Sequence, residues 1–142
     1  MPVIDSYLFF NGNCAEAMRF YERTLGGKID MMMTYGQAPQ PQQCPAGSQD
    51  RIMHSHLLLD GRALMASDTP KGQESPGMHG FALSVNYPSV GEARRVFDAL
   101  ADGGQVTMPL ARTFWSETFG MLTDRFGVGW MVSGGASMGS QP

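Results

Sequence analysis

The two stretches NCAEAMRFYERTLGG (residues 13–27) and SVGEARRVFDALADGG (residues 89–104) carry the same helical pattern. Each begins with a residue type that commonly caps a helix, has an acid three positions later and ends in a pair of glycines. The apolar side chains between these signals recur at a spacing that places them on one helix face. When Asn13 is aligned with Ser89, Glu16 aligns with Glu92. The chain is therefore predicted to contain one structural module twice.

Short runs of strand-forming residues surround each predicted helix. One run precedes the helix and three follow it, so each module reads β-α-β-β-β and the fold class is α+β. In the first half the predicted strands cover residues 7–10, 28–34, 52–59 and 63–67, and in the second half they cover residues 81–85, 105–113, 118–123 and 129–133.

The chain of 142 residues is expected to form a single domain. Residues 37–50, rich in Pro and Gln, predict a mobile insertion. One module of about 70 residues leaves one sheet face uncovered, so the modules must pack together or pair with a second chain. The expected organisation is module 1 at residues 1–68, a linker at 69–78, module 2 at 79–135 and a frayed tail at 136–142.

The composition excludes several classes of partner. Charged residues make up 16% and the net charge is −3, with the basic residues scattered, so neither nucleic acid nor an anionic membrane is an expected partner. No apolar run approaches the roughly 20 residues that span a bilayer, and the N-terminal residues lack the pattern of a signal peptide. A cytoplasmic protein is expected. Cys14 and Cys44 form no C-x-x-C pattern, and Cys14 has no Lys or His beside it in sequence that would activate the thiol.

Five segments point to a known family. They are YLFFNGNCAEAMRFYERTLGG (residues 7–27), ALMASD (63–68), FALSV (81–85), TFW (113–115) followed by FG (119–120), and TDRFGVGWMV (123–132). Together they resemble the vicinal-oxygen-chelate superfamily of glyoxalase and bleomycin-resistance proteins, and more narrowly its PhnB-like branch. The resemblance implies two βαβββ modules whose mixed sheets curl around a small-molecule cavity, usually in a homodimer. Because this superfamily contains isomerases, dioxygenases and drug-binding proteins without catalysis, the fold leaves the activity open.

The metal-dependent members of the family place a His on the first strand and a Glu on the last strand of each module. Carried onto this chain by the resemblance, these four positions fall on Ser6, Met65, Gly80 and Met131. Thioethers and a glycine do not hold a divalent ion that prefers oxygen or imidazole donors. The resemblance therefore implies a chain without a metal cofactor, although a shift of one residue would replace Gly80 by His79.

Residues expected at the cavity are mostly apolar. Trp115 and Phe119 either stack on a planar ligand or are ordinary core aromatics. If Met131 points into the cavity, strand alternation places Trp130 beneath a helix. The predicted ligand-binding residues are Ser6, Leu8, Phe10, His54, His56, Met65, Ser67, Trp115, Phe119 and Met131.

Three classes of function remain open. His54 and His56 lie two apart on a predicted strand and share a face, either as metal ligands or general bases or as polar residues on a hydrated face. The leading hypothesis is a metal-free protein that binds or sequesters a small apolar or aromatic molecule and has no catalytic residues. The alternative is a metal-dependent lyase, isomerase or dioxygenase whose rearranged site contains His54, His56 and Asp68. The third is a structural protein whose own side chains fill the cavity.

Overall fold

The computed structural model describes residues 2–38, 44 and 46–137. The chain divides into two compact units, Met1–Gly77 and Met78–Pro142. Part of the predicted mobile insertion, residues 39–43 and 45, lies outside the described residues. Over the described ranges no helix is long and apolar enough to cross a membrane.

The first unit is a four-stranded sheet with one helix. Its elements are β1 (Ser6–Phe10), α1 (Cys14–Leu25), β2 (Lys28–Thr34), β3 (Ile52–Leu59) and β4 (Arg62–Asp68). The strand order is β1-β4-β3-β2, in which β1 pairs with β4 in parallel and the other pairs are antiparallel. The predicted βαβββ order of this module is confirmed.

The start of α1 is stabilised differently from the prediction. Asn13 makes no side-chain capping hydrogen bond. Instead the Asp68 carboxylate at the end of β4 accepts hydrogen bonds from the backbone N–H of Gly12 at 2.8 Å and of Cys14 at 3.0 Å. A carboxylate suits a helix N-terminus because the unsatisfied N–H groups and the helix dipole both favour negative charge there. At the other end Gly26 adopts the left-handed conformation, with φ of 91°, that ends many helices.

The second unit repeats the first. Ser89 caps its helix as predicted, since the Ser89 hydroxyl accepts from the Glu92 N–H at 3.1 Å. The last strand reaches Ser137, two residues into the stretch expected as a tail, and residues 138–142 lie outside the described part. Its elements are β5 (Leu83–Tyr87), α2 (Val90–Ala101), β6 (Gln105–Ala111), β7 (Ser116–Thr123) and β8 (Gly129–Ser137), in the order β5-β8-β7-β6.

Helix α1 covers one face of the first sheet. The Cys14 Sγ lies 3.6 Å from the Ser55 Oγ, so Ser55 on β3 faces this helix. Ala66 is paired with Ser55, and Leu8 is paired with Ala66, so all three share the covered face. All three are fully buried. The opposite face of the sheet, which α1 does not cover, is termed open face 1.

Helix α2 covers one face of the second sheet at close range. A Cβ at Gly120 would lie 2.7 Å from the Phe97 ring, so β7 faces α2 at this point. Val132 pairs with Gly120, and Trp130, two residues earlier on β8, shares that face and is buried. The prediction that Trp130 packs beneath a helix is confirmed. The opposite face of this sheet is termed open face 2.

Candidate functional site

Open face 1 carries two rows of side chains that run across the strands. Strand pairing aligns Tyr7 with Met65, Met65 with His56, and His56 with Met31, so one row crosses all four strands. The neighbouring row contains the pairs Phe9 with Ser67 and Met33 with His54. Open face 1 therefore carries polarizable thioethers, aromatic rings and imidazoles as neighbours.

His54 is held by an aromatic neighbour. The Tyr7 hydroxyl lies 3.0 Å from the His54 Nδ1, and the two rings stack with centroids 5.6 Å apart. Phe9 lies beside Tyr7, at a centroid distance of 5.1 Å. Because Nδ1 is engaged by the phenol, Nε2 is the ring nitrogen that remains for a further contact.

His56 is held by a carboxylate. Its Nδ1 lies 2.7 Å from the Asp30 Oδ1. Asp30 lies at a break in the strand register between Ile29 and Met31, where β2 carries one extra residue against β3. Such a bulge turns a side chain out of the regular alternation, and here it brings the carboxylate beside the imidazole. The pair fixes the ring so that Nδ1–H donates to Asp30 and Nε2 points away from it.

The prediction that Ser6, Leu8 and Phe10 share a face with Met65 and Ser67 is wrong. In the parallel pairing of β1 with β4, Tyr7 lies opposite Met65, whereas Leu8 lies opposite Ala66 on the face that α1 covers. Leu8 and Phe10 are buried core residues, only 1% and 3% exposed. Tyr7 and Phe9 are the β1 residues on open face 1, and sequence reasoning missed both. The sequence could not show which face of β1 they occupy, because the side chains of YLFF are apolar on both faces.

The rearranged metal site of His54, His56 and Asp68 is not assembled. The Asp68 side chain is 2% exposed and lies on the covered face, opposite the two imidazoles. Besides capping α1, its Oδ2 accepts from the Ile52 N–H at 2.9 Å. In the part of the chain that the structure describes, no three His, Cys, Asp or Glu side chains are grouped to hold a metal ion.

Open face 2 contains a row of three methionines. Met131 pairs with Met121 and with Ser84, and Met121 pairs with Met108 on the edge strand. Phe119 is aligned with Ser133 two residues along the same face. This row occupies the same strands of its module as the Tyr7, Met65, His56 and Met31 row of open face 1.

An aromatic cluster adjoins the methionines of open face 2. Trp115 packs edge-on against Phe119, with centroids 5.3 Å apart and planes at 66°. Phe114 also packs edge-on against Trp115, with centroids 4.7 Å apart, and is 82% exposed. The Thr113 hydroxyl accepts from the N–H groups of Trp115 and Ser116, which fixes the turn that carries the indole. The predicted pair Trp115 and Phe119 is therefore in contact.

Cys14 has the character of a structural thiol. It is fully buried, and this burial raises its pKa to about 12. The neighbouring Asp68 charge also raises the pKa, and the hydrogen bond with Ser55 opposes the rise. The thiolate needed for nucleophilic chemistry is therefore disfavoured near neutral pH.

Comparison with known proteins identifies the family. The family model of the Glyoxalase/Bleomycin resistance protein/Dioxygenase superfamily matches residues 3–132. The chain belongs to this superfamily. Within the superfamily it is PhnB-like, as predicted, because it is similar to a Bacillus cereus structure described as a PhnB protein. A crystal structure of PA1353 from Pseudomonas aeruginosa is 47% identical, with a TM-score of 0.87, over 95% of this chain and 98% of that one.

Two further relatives cover the chain almost completely. Protein YjdN of Escherichia coli (strain K12) is 38% identical over 142 residues, which cover 94% of this chain and 95% of the relative. A Bacillus cereus structure described as a putative 3-demethylubiquinone-9 3-methyltransferase, PhnB protein, is 28% identical with a TM-score of 0.77, over 94% of this chain and 99% of that chain.

The side chains at the superfamily's metal positions do not fit a divalent ion. On open face 1 the residue opposite Met65 is Tyr7, and on open face 2 the residue opposite Met131 is Ser84. Ser6, which the resemblance places at the metal position of β1, pairs with Leu64 instead. Neither the Tyr7 and Met65 pair of the first unit nor the Ser84 and Met131 pair of the second offers the imidazole and carboxylate that hold such an ion. His79 and Gly80 both precede β5 and are exposed. No reaction step through a divalent metal ion is therefore derived for this chain.

Proposed function

We propose that this PhnB-like protein binds or sequesters a small planar or aromatic molecule without a divalent metal ion. The observation that carries the proposal is the edge-on packing of Trp115 against Phe119, beside the methionine row of open face 2. The indole is only partly buried, so part of its surface remains for a ligand.

The chemistry of this cluster supports a flat apolar ligand. Aromatic contacts add about 0.5–1.5 kcal/mol beyond the burial of apolar area. The thioethers of Met121 and Met131 are flexible and make favourable contacts with aromatic rings. The side chains that ring packing and strand pairing place beside Phe119, namely Trp115, Ala111 and Ser133, are apolar or carry a hydroxyl. Such a surface suits binding better than polarising a carbonyl group.

Further properties belong to the same proposal. The protein acts as a homodimer in the cytoplasm, and its natural partner is a small molecule rather than nucleic acid or a membrane. The exposed apolar side chains of the N-terminal segment, Val3 and Ile4, support dimer formation because such surfaces commonly become interfaces.

The test uses 2-naphthol as a planar probe and decahydro-2-naphthol as a saturated probe of similar size. Binding is followed by calorimetry on the wild type and on Trp115→Ala. We expect 2-naphthol to bind more tightly than the saturated probe, and Trp115→Ala to weaken 2-naphthol binding roughly tenfold, because ring contact and buried area are both lost.

Trp130→Phe is the matched control, because it alters the other tryptophan of the chain on the covered face. It removes the hydrogen bond from the indole Nε1 to the Asp124 Oδ2, 2.8 Å long, and lowers stability while leaving the affinity of the folded variant unchanged. Equal affinity for the two probes, or control of affinity by Trp130 rather than Trp115, would overturn the proposal. Elemental analysis that finds one Zn²⁺, Ni²⁺, Mn²⁺ or Fe²⁺ per chain would overturn the part of the proposal that excludes a divalent metal ion.

A further inference from the structure

We infer that open face 1 holds a site for a soft monovalent metal ion, Cu(I), with Met31, His56 and Met65 as its ligands. The three residues lie side by side on three adjacent strands. Met31 on β2 pairs with His56 on β3, and His56 pairs with Met65 on β4, so one imidazole stands between two thioethers. All three ligands belong to the first unit, whereas the aromatic cluster of open face 2 belongs to the second.

The reach of the side chains allows them to converge. Directly paired residues of adjacent strands have Cβ atoms about 4.5–5.5 Å apart on the same face. Methionine has three rotatable bonds, so both thioethers can turn toward the central imidazole. Met31 is 38% exposed, while His56 and Met65 are partly buried, so an ion can reach the row from solvent.

The donor set selects the ion. Thioether sulfur is a soft ligand that favours Cu(I), and imidazole also suits copper, whereas hard divalent ions require carboxylate or carbonyl oxygen. Two thioethers and one imidazole therefore favour a soft monovalent ion over a hard divalent one.

A second observation points to metal binding by His56. Metal-ligating histidines commonly donate their other ring N–H to a carboxylate, which fixes the ring and makes the ligating nitrogen more basic. The His56 Nδ1 has such a partner in the Asp30 Oδ1 at 2.7 Å. The carboxylate also balances the positive charge of the ion, because all three proposed ligands are neutral.

The experiment titrates the folded protein with Cu(I), supplied without oxygen as its acetonitrile complex in competition with the chelator bicinchoninate. A Cys44→Ser background removes the half-buried thiol, which would bind Cu(I) itself, while Cys14 stays because it is fully buried. We expect one Cu(I) per chain and at least tenfold weaker binding in both Met31→Leu and Met65→Leu. The exchange of Met for Leu nearly preserves volume, so these variants fold.

Met32→Leu is the matched control. Met32 adjoins Met31 in sequence, but it pairs with Ser55 and therefore lies on the face that α1 covers. Its replacement should leave Cu(I) affinity unchanged, and Zn²⁺ should not compete at equal concentration. The inference is wrong if the wild type takes no Cu(I) from the chelator, if Met32→Leu weakens binding as much as Met31→Leu, or if Met121→Leu on open face 2 abolishes binding instead.

Discussion

His56 and Met121 occupy equivalent positions in the two repeated sheets, each between two methionines of neighbouring strands. His56 lies between Met31 and Met65, and Met121 has the corresponding neighbours on β6 and β8. Both modules also carry an irregularity in the strand that precedes the central one. In the first module it supplies the Asp30 carboxylate that holds the imidazole. The two open faces thus share an arrangement but offer different chemistry.

Asp68 is expected to be a major determinant of the stability of the first unit. Asp68→Ala should lower the free energy of unfolding by roughly 1–3 kcal/mol for each of the buried N–H groups of Cys14 and Ile52 that lose their acceptor. Urea unfolding followed by circular dichroism measures the loss. Asp98→Ala, at an exposed position of α2, should change stability by about 0.5 kcal/mol or less. Equal effects of the two changes would contradict the role assigned to Asp68.

The buried thiol of Cys14 predicts a loss of stability in alkali. Because its pKa is raised from 9.0 to about 12, the folded chain keeps a proton that the unfolded chain releases above about pH 9. Its stabilising contribution is therefore complete below pH 9 and is lost as the pH rises toward 12. Unfolding in urea at pH 8 and pH 10 tests this expectation.

A Cys14→Ala variant isolates the contribution of this thiol. Burial also raises the pKa of Tyr35 and of Tyr87 from 10.0, so both phenols act in the same direction at higher pH. The variant should show a smaller decline in stability between pH 8 and pH 10 than the wild type. An identical decline would assign the effect to other groups.

Gly134 is expected to tolerate no larger residue. A Cβ at this position would collide with the Cβ of Ala93 and would lie 2.7 Å from the Ser89 carbonyl oxygen, where α2 approaches β8. Gly134→Ala should destabilise the protein by about 1–3 kcal/mol through overpacking. Gly91→Ala is the control: it enters open space in α2, where alanine is favoured over glycine by about 0.5–1 kcal/mol. In a thermal unfolding scan, the Tm of Gly134→Ala should fall and the Tm of Gly91→Ala should rise.

The proposed homodimer predicts a mass of twice 15.4 kDa in solution. Val3 and Ile4 are 80% and 87% exposed, and Phe81 in the second unit is 51% exposed. Sedimentation velocity over a hundredfold range of concentration measures the mass directly. A monomer mass that stays constant over this range would rule the dimer out.

Local sequence signals predicted most of the elements. Caps, helical periodicity and turn residues act between neighbours, and for this reason the helices and the β-α-β-β-β order could be read from the chain. The true cap of α1 could not be, because Asp68 lies 54 residues from Cys14 in sequence. The face of β1 could not be assigned either, since alternation is informative only where one face is polar.

The candidate site was less predictable than the fold for the same physical reason. Trp115 and Phe119 are close in sequence, so their contact could be foreseen. The pairing of His56 with Asp30 depends on an irregular strand register, which no single-residue preference encodes. The expectation that Leu8 shares a face with Met65 was wrong, because β1 pairs with β4 and these strands are far apart in the sequence.

Because Asp68 on β4 stabilises the N-terminus of α1, β4 and the equivalent strand β8 cannot replace each other. Asp68 pairs with Phe10 in the first sheet, and Gly134, at the corresponding place in the second sheet, pairs with Tyr87. A chimaera with the β8 sequence in place of β4 would deprive α1 of its acceptor. The reverse exchange would place a carboxylate against the Ala93 side chain, so each exchange is expected to destabilise its module.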